Sequence, residues 1–327
     1  MMLKNFKKFT FRALFVGNIL VILLMLLIGN IDWLNPVDYP LLANLGLGYP
    51  ILLAFNFAFL VFWAFVRLRT IWLPVLGFIL CFASIRIYCP FNLPKDKPHG
   101  AIKVLSYNVY MFDSWEETNP KTNPIVNYII DSKADLVCLQ EAQGDGDKSG
   151  GIYKRLKAHY PYFKLMVKKK PGADYMVLLS RYPILWQDTI PYGSSSNQSV
   201  AYMVDIKGTK TLVVNNHFES NGLSNDDKAG FKSLVKGRMR TNKAKSESVH
   251  LLRKLGKVSM RRAPQADMVA RYVKQYLDKK VPVILCGDFN DNPLSYTHRV
   301  IDKELIDCFV ASGNGPGISY HRSGMYF

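Results

Sequence analysis

The sequence predicts an α+β or α/β sandwich domain preceded by transmembrane helices. Two observations support this prediction: long uncharged apolar runs occupy the first third of the chain, and many short strand-like runs, separated by only a few helical ones, follow them. Numerous strands with few helices favour a sandwich over a doubly wound parallel sheet. With 327 residues, of which 49% are hydrophobic, the chain can bury a sizeable core, which excludes a disordered chain. Five Cys without a CxxC pair exclude a disulfide-rich or zinc-based scaffold.

Three apolar runs have the length expected of membrane spans. They cover residues 13–31, 41–66 and about 71–89. A helix needs ~20 apolar residues to cross the hydrocarbon layer, and Arg86, near the end of the third run, can extend to the interface. Two alternatives remain open. The first run is also compatible with a cleaved signal peptide, and the third with a segment that lies in the interface.

The charges in the loops predict an orientation for these spans. Basic residues precede the first span and fill the second loop: Lys4, Lys7, Lys8, Arg12, Arg67 and Arg69. The loop between the first two spans contains Asp32 and Asp38 but no Lys or Arg. The positive-inside rule therefore predicts a cytoplasmic N-terminus and, after three crossings, an external remainder. The predicted organisation is an anchor over residues 1–94, a linker over 95–100 and a second domain over 101–327.

The second domain alternates predicted strands and helices. β-branched and apolar runs predict strands at residues 102–109, 135–140, 163–167, 175–179, 201–206, 211–215 and 281–286. Helical periodicity and start signals predict helices at residues 123–131, 153–159 and 264–277.

Four of the predicted strands end in polar residues. These residues are Asn108, Glu141, His217, Asp288 and Asn290. If the strands lie side by side, the five side chains converge on one rim, where a carboxylate with amide oxygens suits Mg²⁺ or Mn²⁺ rather than zinc. Singly, each residue is also compatible with a structural role: Asn108 and Asp288 in turns, and His217 as a hydrogen-bonded core residue.

The segments around these residues resemble a known family. LSYNV, LVCLQEAQ, LLSRYPI, VVNNHFES and VILCGDFNDNP, over about residues 101–327, occur in the order found in the endonuclease/exonuclease/phosphatase superfamily, which includes pancreatic-type deoxyribonucleases and neutral sphingomyelinases. The sequence is similar to the membrane-anchored bacterial members. This resemblance implies a four-layered α/β sandwich of two mostly antiparallel sheets. Together with the apolar runs and the loop charges, this resemblance predicts a multi-pass protein of the bacterial inner membrane, with its catalytic domain on the periplasmic side.

The resemblance also implies a role for each rim residue. Glu141, assisted by Asn108, is the implied ligand of Mg²⁺ (or Mn²⁺). Asp288 and Asn290 match the pair that positions the attacking water and contacts the phosphate, and His217 matches a histidine that binds phosphate or protonates the leaving group. Hydrolysis of a phosphodiester requires such a cation, an in-line water and hydrogen-bond donors on the equatorial oxygens.

One element of the family's pattern does not occur in this sequence. The resemblance implies an Asp-His pair near the end of the domain, but none of the 6 His follows an Asp. We therefore expect a domain that lacks its last strands, with impaired activity. Two explanations remain open: a fragment of an active enzyme, or a noncatalytic anchored protein that binds a phosphate ligand or lipid.

A basic segment over residues 228–262 adds a further expectation. It contains twelve Lys or Arg and a single acidic residue, Glu247, within a chain of net charge +17. The segment is compatible with a solvated helical surface, or with binding to anionic lipid headgroups. Phe231 is its only Phe, Tyr or Trp, which argues against a stacking surface for single-stranded nucleic acid.

Together these observations predict a monomeric, membrane-anchored, Mg²⁺-dependent phosphoesterase. Its expected substrate is a phosphate ester, either nucleic acid or a phospholipid or sugar phosphate, and membrane lipids are its expected partners. A transporter is the least favoured function, because the apolar runs contain little beyond Asn18, Asn56 and Arg86 to line a pathway.

Overall fold

The computed structural model of the chain describes residues 2–96, 98–114, 121–143, 146–168, 174–194, 196–235, 238 and 241–319. The chain divides into two compact units. The anchor unit comprises Met1–Pro94, Leu223–Met260 and Asp291–Phe327, and the sandwich unit comprises Lys95–Gly222 and Arg261–Asn290. The anchor unit thus contains two segments that follow the apolar runs in the sequence. The predicted domain boundaries remain a prediction.

The sandwich unit is built on two four-stranded sheets. Its strands are β1 (Val104–Asn108), β2 (Leu136–Gln140), β3 (Tyr162–Val167), β4 (Tyr175–Ser180), β5 (Ile184–Ile190), β6 (Ser199–Ile206), β7 (Thr209–His217) and β8 (Val283–Asp288). The first sheet has the order β1-β2-β4-β3 and the second β5-β6-β7-β8. The pairs β1–β2 and β7–β8 are parallel, and the other pairs are antiparallel. Two mostly antiparallel sheets were predicted, and this prediction is confirmed.

Alternation of side chains along β2 explains how the first sheet joins two cores. Leu136 and Cys138 lie in the core shared with β6 and β7 of the second sheet. Val137 and Leu139 face the opposite way, into a core formed with helices α6 (Pro124–Asp131) and α7 (Gly146–His159). Successive strand residues point to opposite faces, so a strand that is apolar throughout is one covered on both sides.

The second sheet is covered by the last part of helix α9 (Thr241–Leu277). Val269 and Val273 of this helix are fully buried, and the ring centroid of Tyr276 lies 6.3 Å from that of Trp186 on β5. Helices α6 and α7, the first sheet, the second sheet and the last part of α9 therefore form the four layers of the predicted sandwich. The fold class inferred from the sequence is confirmed.

The structure extends the predicted elements at several positions. Strand β5 was not predicted, and the helix predicted to begin at Pro264 begins at Thr241, with Pro264 inside it. The other α-helices after the apolar runs are α8 (Asn225–Val235), α10 (Tyr296–Asp302) and α11 (Cys308–Ser312), with a turn at Tyr110–Ser114 (α5) whose first residues have positive φ. The sequence predicts that the domain lacks its last strands. The residues after position 319, which this prediction concerns, lie outside the described residues.

The apolar runs of the anchor unit form helices. These are α1 (Met2–Gly29), α2 (Tyr49–Val66), α3 (Trp72–Leu80) and α4 (Phe82–Tyr88). Two helical stretches, Phe6–Trp33 and Leu45–Val66, are long and apolar enough to cross a membrane. Leu68–Leu80 and Phe82–Tyr88 pass the same test together, with a bend of 64° between them. The first two predicted spans therefore have the helical length required, and the third is a bent helix pair.

Polar side chains inside the apolar helices bond to one another. The Asn18 amide donates to Oδ1 of Asn56 at 3.1 Å, and the Asn56 amide donates to the carbonyl of Pro74 at 3.0 Å. The indole N–H of Trp63 donates to Oδ1 of Asn18 at 3.3 Å. This network joins α1, α2 and α3, and hydrogen bonds of this kind hold apolar helices together where the hydrophobic effect between them is weak.

The two later segments of the anchor unit pack onto its helices and first loop. Leu294 is fully buried in a core with Met25, Tyr49 and Cys81. The Arg299 guanidinium lies 3.2 Å from the ring centroid of Trp33, and its Nη1 lies 3.4 Å from Oδ2 of Asp32. The anchor unit is therefore assembled from segments distant in sequence.

We expect Asn56→Ala to destabilise the anchor unit by about 1–2 kcal/mol, because it removes two hydrogen bonds between helices. Reversible unfolding of the detergent-solubilised protein would measure this loss. Asn30→Ala is the matched control, since the exposed Asn30 side chain, just after α1, donates to the carbonyl of Leu26 in α1 and not to another helix. Equal stabilities of the two variants would contradict the role of the network.

Candidate active site

Two pairs of parallel strands place the predicted rim residues. In the first sheet, Asn108 at the end of β1 lies beside Gln140 at the end of β2. In the second, His217 at the end of β7 lies beside Asp288 at the end of β8. Parallel strands carry their carboxyl ends to the same edge of a sheet. The polar residues that follow these apolar strands are therefore brought together in pairs.

Asn108 joins the two pairs. Its side-chain Nδ2 donates to Oε1 of Glu141 at 2.9 Å and to Oδ2 of Asp288 at 2.9 Å. Its Oδ1 accepts a hydrogen bond from the backbone N–H of Tyr110 at 3.1 Å, which fixes the orientation of the amide. One amide group thus holds carboxylates from both sheets within hydrogen-bond distance of a single nitrogen.

The backbone at the ends of β2 and β8 turns sharply to present these side chains. Glu141 and Asn290 both have positive φ, at 48° and 51°. Gly287, next to Asp288, cannot be replaced freely, because a Cβ there would lie 2.0 Å from the carbonyl oxygen of Asn216 on β7. The Gly-Asp-Phe-Asn motif therefore allows β8 to approach β7 closely and then turn.

Asn290 forms hydrogen bonds with Asp288 and with Phe218, the residue that follows β7. Its backbone N–H donates to Oδ1 of Asp288 at 2.9 Å, and its side-chain amide donates to the carbonyl of Phe218 at 3.0 Å. These bonds fix one carboxylate oxygen of Asp288. In this structure Asn290 orients Asp288, and the roles implied for this pair, positioning the attacking water and contacting the phosphate, stay a prediction.

His217 is held by a residue that the sequence analysis missed, Asp174. Nδ1 of His217 lies 2.8 Å from Oδ2 of Asp174, whose other oxygen accepts the backbone N–H of Glu141 at 3.2 Å. Nε2 of His217 lies 3.7 Å from Oε1 of Glu141 and has no hydrogen-bond partner among the described residues. The side chain of Glu141 is 31% exposed and that of His217 is 4% exposed, so Glu141 is the more open of the two.

A signal for Asp174 existed in the sequence. Asp174 immediately precedes β4, whereas the site residues predicted from the sequence lie at the ends of their strands or just after them. Because β4 runs antiparallel to β2, the beginning of β4 lies at the same edge as the end of β2. An acidic residue just before an antiparallel neighbour is therefore as close to the rim as one just after a parallel strand.

The surrounding carboxylates favour a protonated His217. Burial disfavours its charged form, but the hydrogen bond and the charge of Asp174, with the charges of Asp288 and Glu141, outweigh burial and raise its pKa to about 9. An imidazolium at neutral pH is a hydrogen-bond donor at both ring nitrogens. His217 can therefore donate to an anionic group that approaches Nε2.

The residues of the rim fit a hard divalent cation. The carboxylates of Glu141 and Asp288 both accept a hydrogen bond from Nδ2 of Asn108. A divalent cation bound beside them would neutralise the same two negative charges. Mg²⁺ in proteins is held by one or two carboxylates and keeps several waters. The described part of the chain contains no group of three or more His, Cys, Asp or Glu placed to hold a metal ion.

A buried layer of amides supports the rim. Gln140 donates to Oδ1 of Asn215 at 2.6 Å, and Asn215 donates to the carbonyls of Leu139 and Val177 at 3.1 and 3.3 Å. Because Gln140 and Asn215 belong to different sheets, their bond fixes the spacing of the two sheets just behind the rim.

Comparison with protein families gives two matches. Residues 105–325 match the model of the endonuclease/exonuclease/phosphatase family, and residues 11–88 match a domain of unknown function, DUF8431. The first match covers more than half of the chain. The chain belongs to the endonuclease/exonuclease/phosphatase family. Members of this family hydrolyse phosphate esters, which makes a phosphoesterase the kind of enzyme that the chain resembles. A comparison with curated proteins returns no match.

The comparison with solved structures includes the following three matches. Sphingomyelinase C from Streptomyces griseocarneus has a TM-score of 0.42 and 18% identity over 64% of this chain and 70% of that chain. Truncated TDP2 from Caenorhabditis elegans has a TM-score of 0.40 and 16% identity over 63% and 65%. A beta toxin mutant from Staphylococcus aureus with bound magnesium ions has a TM-score of 0.42 and 19% identity over 62% and 70%. Each match thus spans roughly two thirds of the solved chain.

We expect Asp174→Asn to lower the pKa of His217 from about 9. Burial lowers this pKa, and the substitution removes one of the negative charges that raise it. An NMR titration of the His217 ring in metal-free detergent solution would measure the shift. Asp188→Asn, which removes an exposed carboxylate from β5, is the matched control. An unchanged titration of His217 in Asp174→Asn would contradict the assignment.

The same pair predicts a dependence of stability on pH. The folded-state pKa of His217, about 9, lies above its ordinary value of ~6.5, so the contribution of the pair is complete below pH ~6.5 and is lost as the pH rises through about 9. Asp174→Asn should reduce this loss when unfolding free energies are compared across that range.

Proposed function

We propose that the chain is a membrane-anchored, Mg²⁺-dependent phosphoesterase. The observation that supports this most directly is the convergence of Glu141, Asp288 and His217 around the Asn108 amide, which combines two carboxylates with a cationic donor. A phosphate ester needs both kinds of group, since negative charge develops on its oxygens while a water attacks. Membership of a family that hydrolyses phosphate esters agrees with this arrangement.

Glu141 would hold the cation through its partly exposed carboxylate, and Asn108, whose Nδ2 donates to that carboxylate, would orient it. When bound, Mg²⁺ would neutralise charge on the phosphate oxygens and favour attack by water. The remaining functions belong to the side chains of the chain itself.

His217 and Asp288 have complementary tasks in this proposal. His217, held by Asp174 and protonated at neutral pH, donates from Nε2 to a phosphate oxygen and stabilises its charge. Asp288, oriented by the backbone N–H of Asn290, accepts a hydrogen bond from the attacking water and directs it. Asp174 positions His217 and does not contact the substrate.

The contacts within the anchor unit support a position of the residues after 290 on the same side of the membrane as the first loop, the side that the loop charges predict to be external. The first loop contacts residues after position 290: Asp32 pairs with Arg299, and Trp33 lies under its guanidinium. The residues at the end of the last apolar helix and just after it also contact the chain after position 290, since Arg86 and Asn92 both donate to the carbonyl of Val310. The first loop and the residues after the third apolar helix pair thus meet the same part of the chain. This supports three crossings, because an odd number places the first loop and residue 92 on one side.

Activity is expected to depend on Glu141. In detergent or nanodiscs, Glu141→Gln should weaken Mn²⁺ binding, followed by electron paramagnetic resonance, and lower Mg²⁺-dependent hydrolysis of a phosphodiester and phosphomonoester panel by roughly 100-fold. Asp131→Asn, an exposed carboxylate at the end of α6, is the matched control.

The two readouts separate the possible outcomes. Metal binding provides a test that is independent of hydrolysis. Metal binding without any hydrolysis would favour the noncatalytic phosphate-binding alternative. Hydrolysis that is unchanged in Glu141→Gln would overturn the proposed site.

Thiol labelling tests the orientation. In right-side-out vesicles, a membrane-impermeant maleimide should label Cys308, which is exposed on α11, in a Cys89→Ser background. A cysteine introduced by Leu68→Cys, between the second and third apolar segments, should react only after the membrane is permeabilised. Labelling of both positions, or the reverse pattern, would contradict the proposed topology.

A further inference from the structure

We propose that one face of helix α9, over residues 242–257, binds the anionic headgroups of the bilayer that holds the anchor. This inference rests on the proposed membrane anchoring and adds a lipid-binding surface to it. The face is referred to below as the basic face.

The basic face is defined by exposed cations at helical spacing. Lys243, Lys245, Arg253 and Lys257 are all exposed, and they follow one another along about 21 Å of helix at 1.5 Å per residue. A groove of about 510 Å³ runs along this face and is lined by Asn242, Lys245, Ser246, Val249, His250 and Arg253. The positive groups therefore border an open surface that a phosphate-bearing headgroup can reach.

The nearby carboxylates do not neutralise the basic face. Glu247, the single acidic residue of residues 241–260, is half-buried and packs against Gly230 of α8. Asp227 is buried and pairs with His250 and Lys254, and these partners hold its pKa below its usual range. Since both carboxylates are directed towards the α8–α9 contact, the outer side of α9 remains positive.

Apolar side chains accompany the cations. Val249 is 37% exposed and Met260 is 38% exposed on the same side of the helix. Cations interspersed with exposed apolar groups are typical of helices that lie in the interfacial region of a bilayer. By contrast, residues 241–260 contain no Phe, Tyr or Trp on which a nucleic-acid base could stack.

The anchor unit holds α9 next to the first loop. Ser259 accepts a hydrogen bond from the Asn44 amide at 3.0 Å, and both side chains are buried. At Gly256 a Cβ would lie 2.4 Å from the carbonyl oxygen of Pro40, so the helix passes directly against the loop between the first two apolar helices. A loop between two spans lies at the membrane surface, and the helix fixed to it lies there too. The basic face is therefore placed where headgroup charge is highest.

The test uses the full chain in nanodiscs, either of phosphatidylcholine alone or of phosphatidylcholine mixed with phosphatidylglycerol. We expect amide hydrogen exchange over residues 242–257 to be several-fold slower in the anionic discs, and the difference to disappear at high salt. A variant carrying Lys243→Glu, Lys245→Glu, Arg253→Glu and Lys257→Glu should lose the difference.

A control with the same change in charge separates local from global effects. It carries Lys154→Glu, Lys164→Glu, Lys210→Glu and Arg271→Glu, which replace exposed cations of the sandwich unit, and it should retain the slower exchange. If the reversed variant exchanges rapidly throughout the chain, the four corresponding Gln substitutions replace it in the comparison.

The outcomes distinguish this proposal from the anchoring on which it rests. Failure of the chain to enter nanodiscs would overturn the anchoring. Normal incorporation with equal exchange in both discs would overturn the lipid surface alone. Slower exchange that persists in the reversed variant would overturn it as well, and so would protection by DNA in neutral discs without protection by phosphatidylglycerol.

Discussion

The candidate site depends on the two hydrogen bonds that the Asn108 amide donates. Without a donor between them, the like charges of the Glu141 and Asp288 carboxylates would repel each other. The amide can reach both because β1 and β8 end at the same rim, and this follows from the two parallel strand pairs, one in each sheet. The Gln140–Asn215 bond behind the rim then sets the distance between the sheets. The geometry of the site is therefore a property of how two sheets meet, rather than of one loop.

Much of this arrangement could be predicted from the sequence, because apolar strands that finish in polar residues indicate a shared edge. Asp174 could not be found by that rule, since it precedes its strand and reaches the rim only through antiparallel pairing. Strand β5 was missed because its sequence, ILWQDTI, is polar at its centre and half-exposed. The first part of α9 was not delimited because its Lys and Arg obscure the apolar periodicity, and Pro264, a common first residue of a helix, lies inside it.

The polar residues of the apolar helices have structural partners. Asn18 and Asn56 bond to each other, and Arg86 donates to the carbonyl of Phe91 and to Asn92. A transport pathway requires polar groups that can be offered to a passing solute, whereas these groups are engaged in holding helices and the chain after them. This agrees with an anchor that organises the segments attached to it. It also explains why the anchor unit includes residues from well beyond the apolar runs.

The burial of Leu294 among Met25, Tyr49 and Cys81 has a consequence for biosynthesis. The helices that surround it leave the ribosome first, but Leu294 is translated roughly 200 residues after the last of them, so the gap it fills stays open for most of translation. The first unit to be synthesised is thus among the last to be completed, and contacts so distant in sequence form slowly.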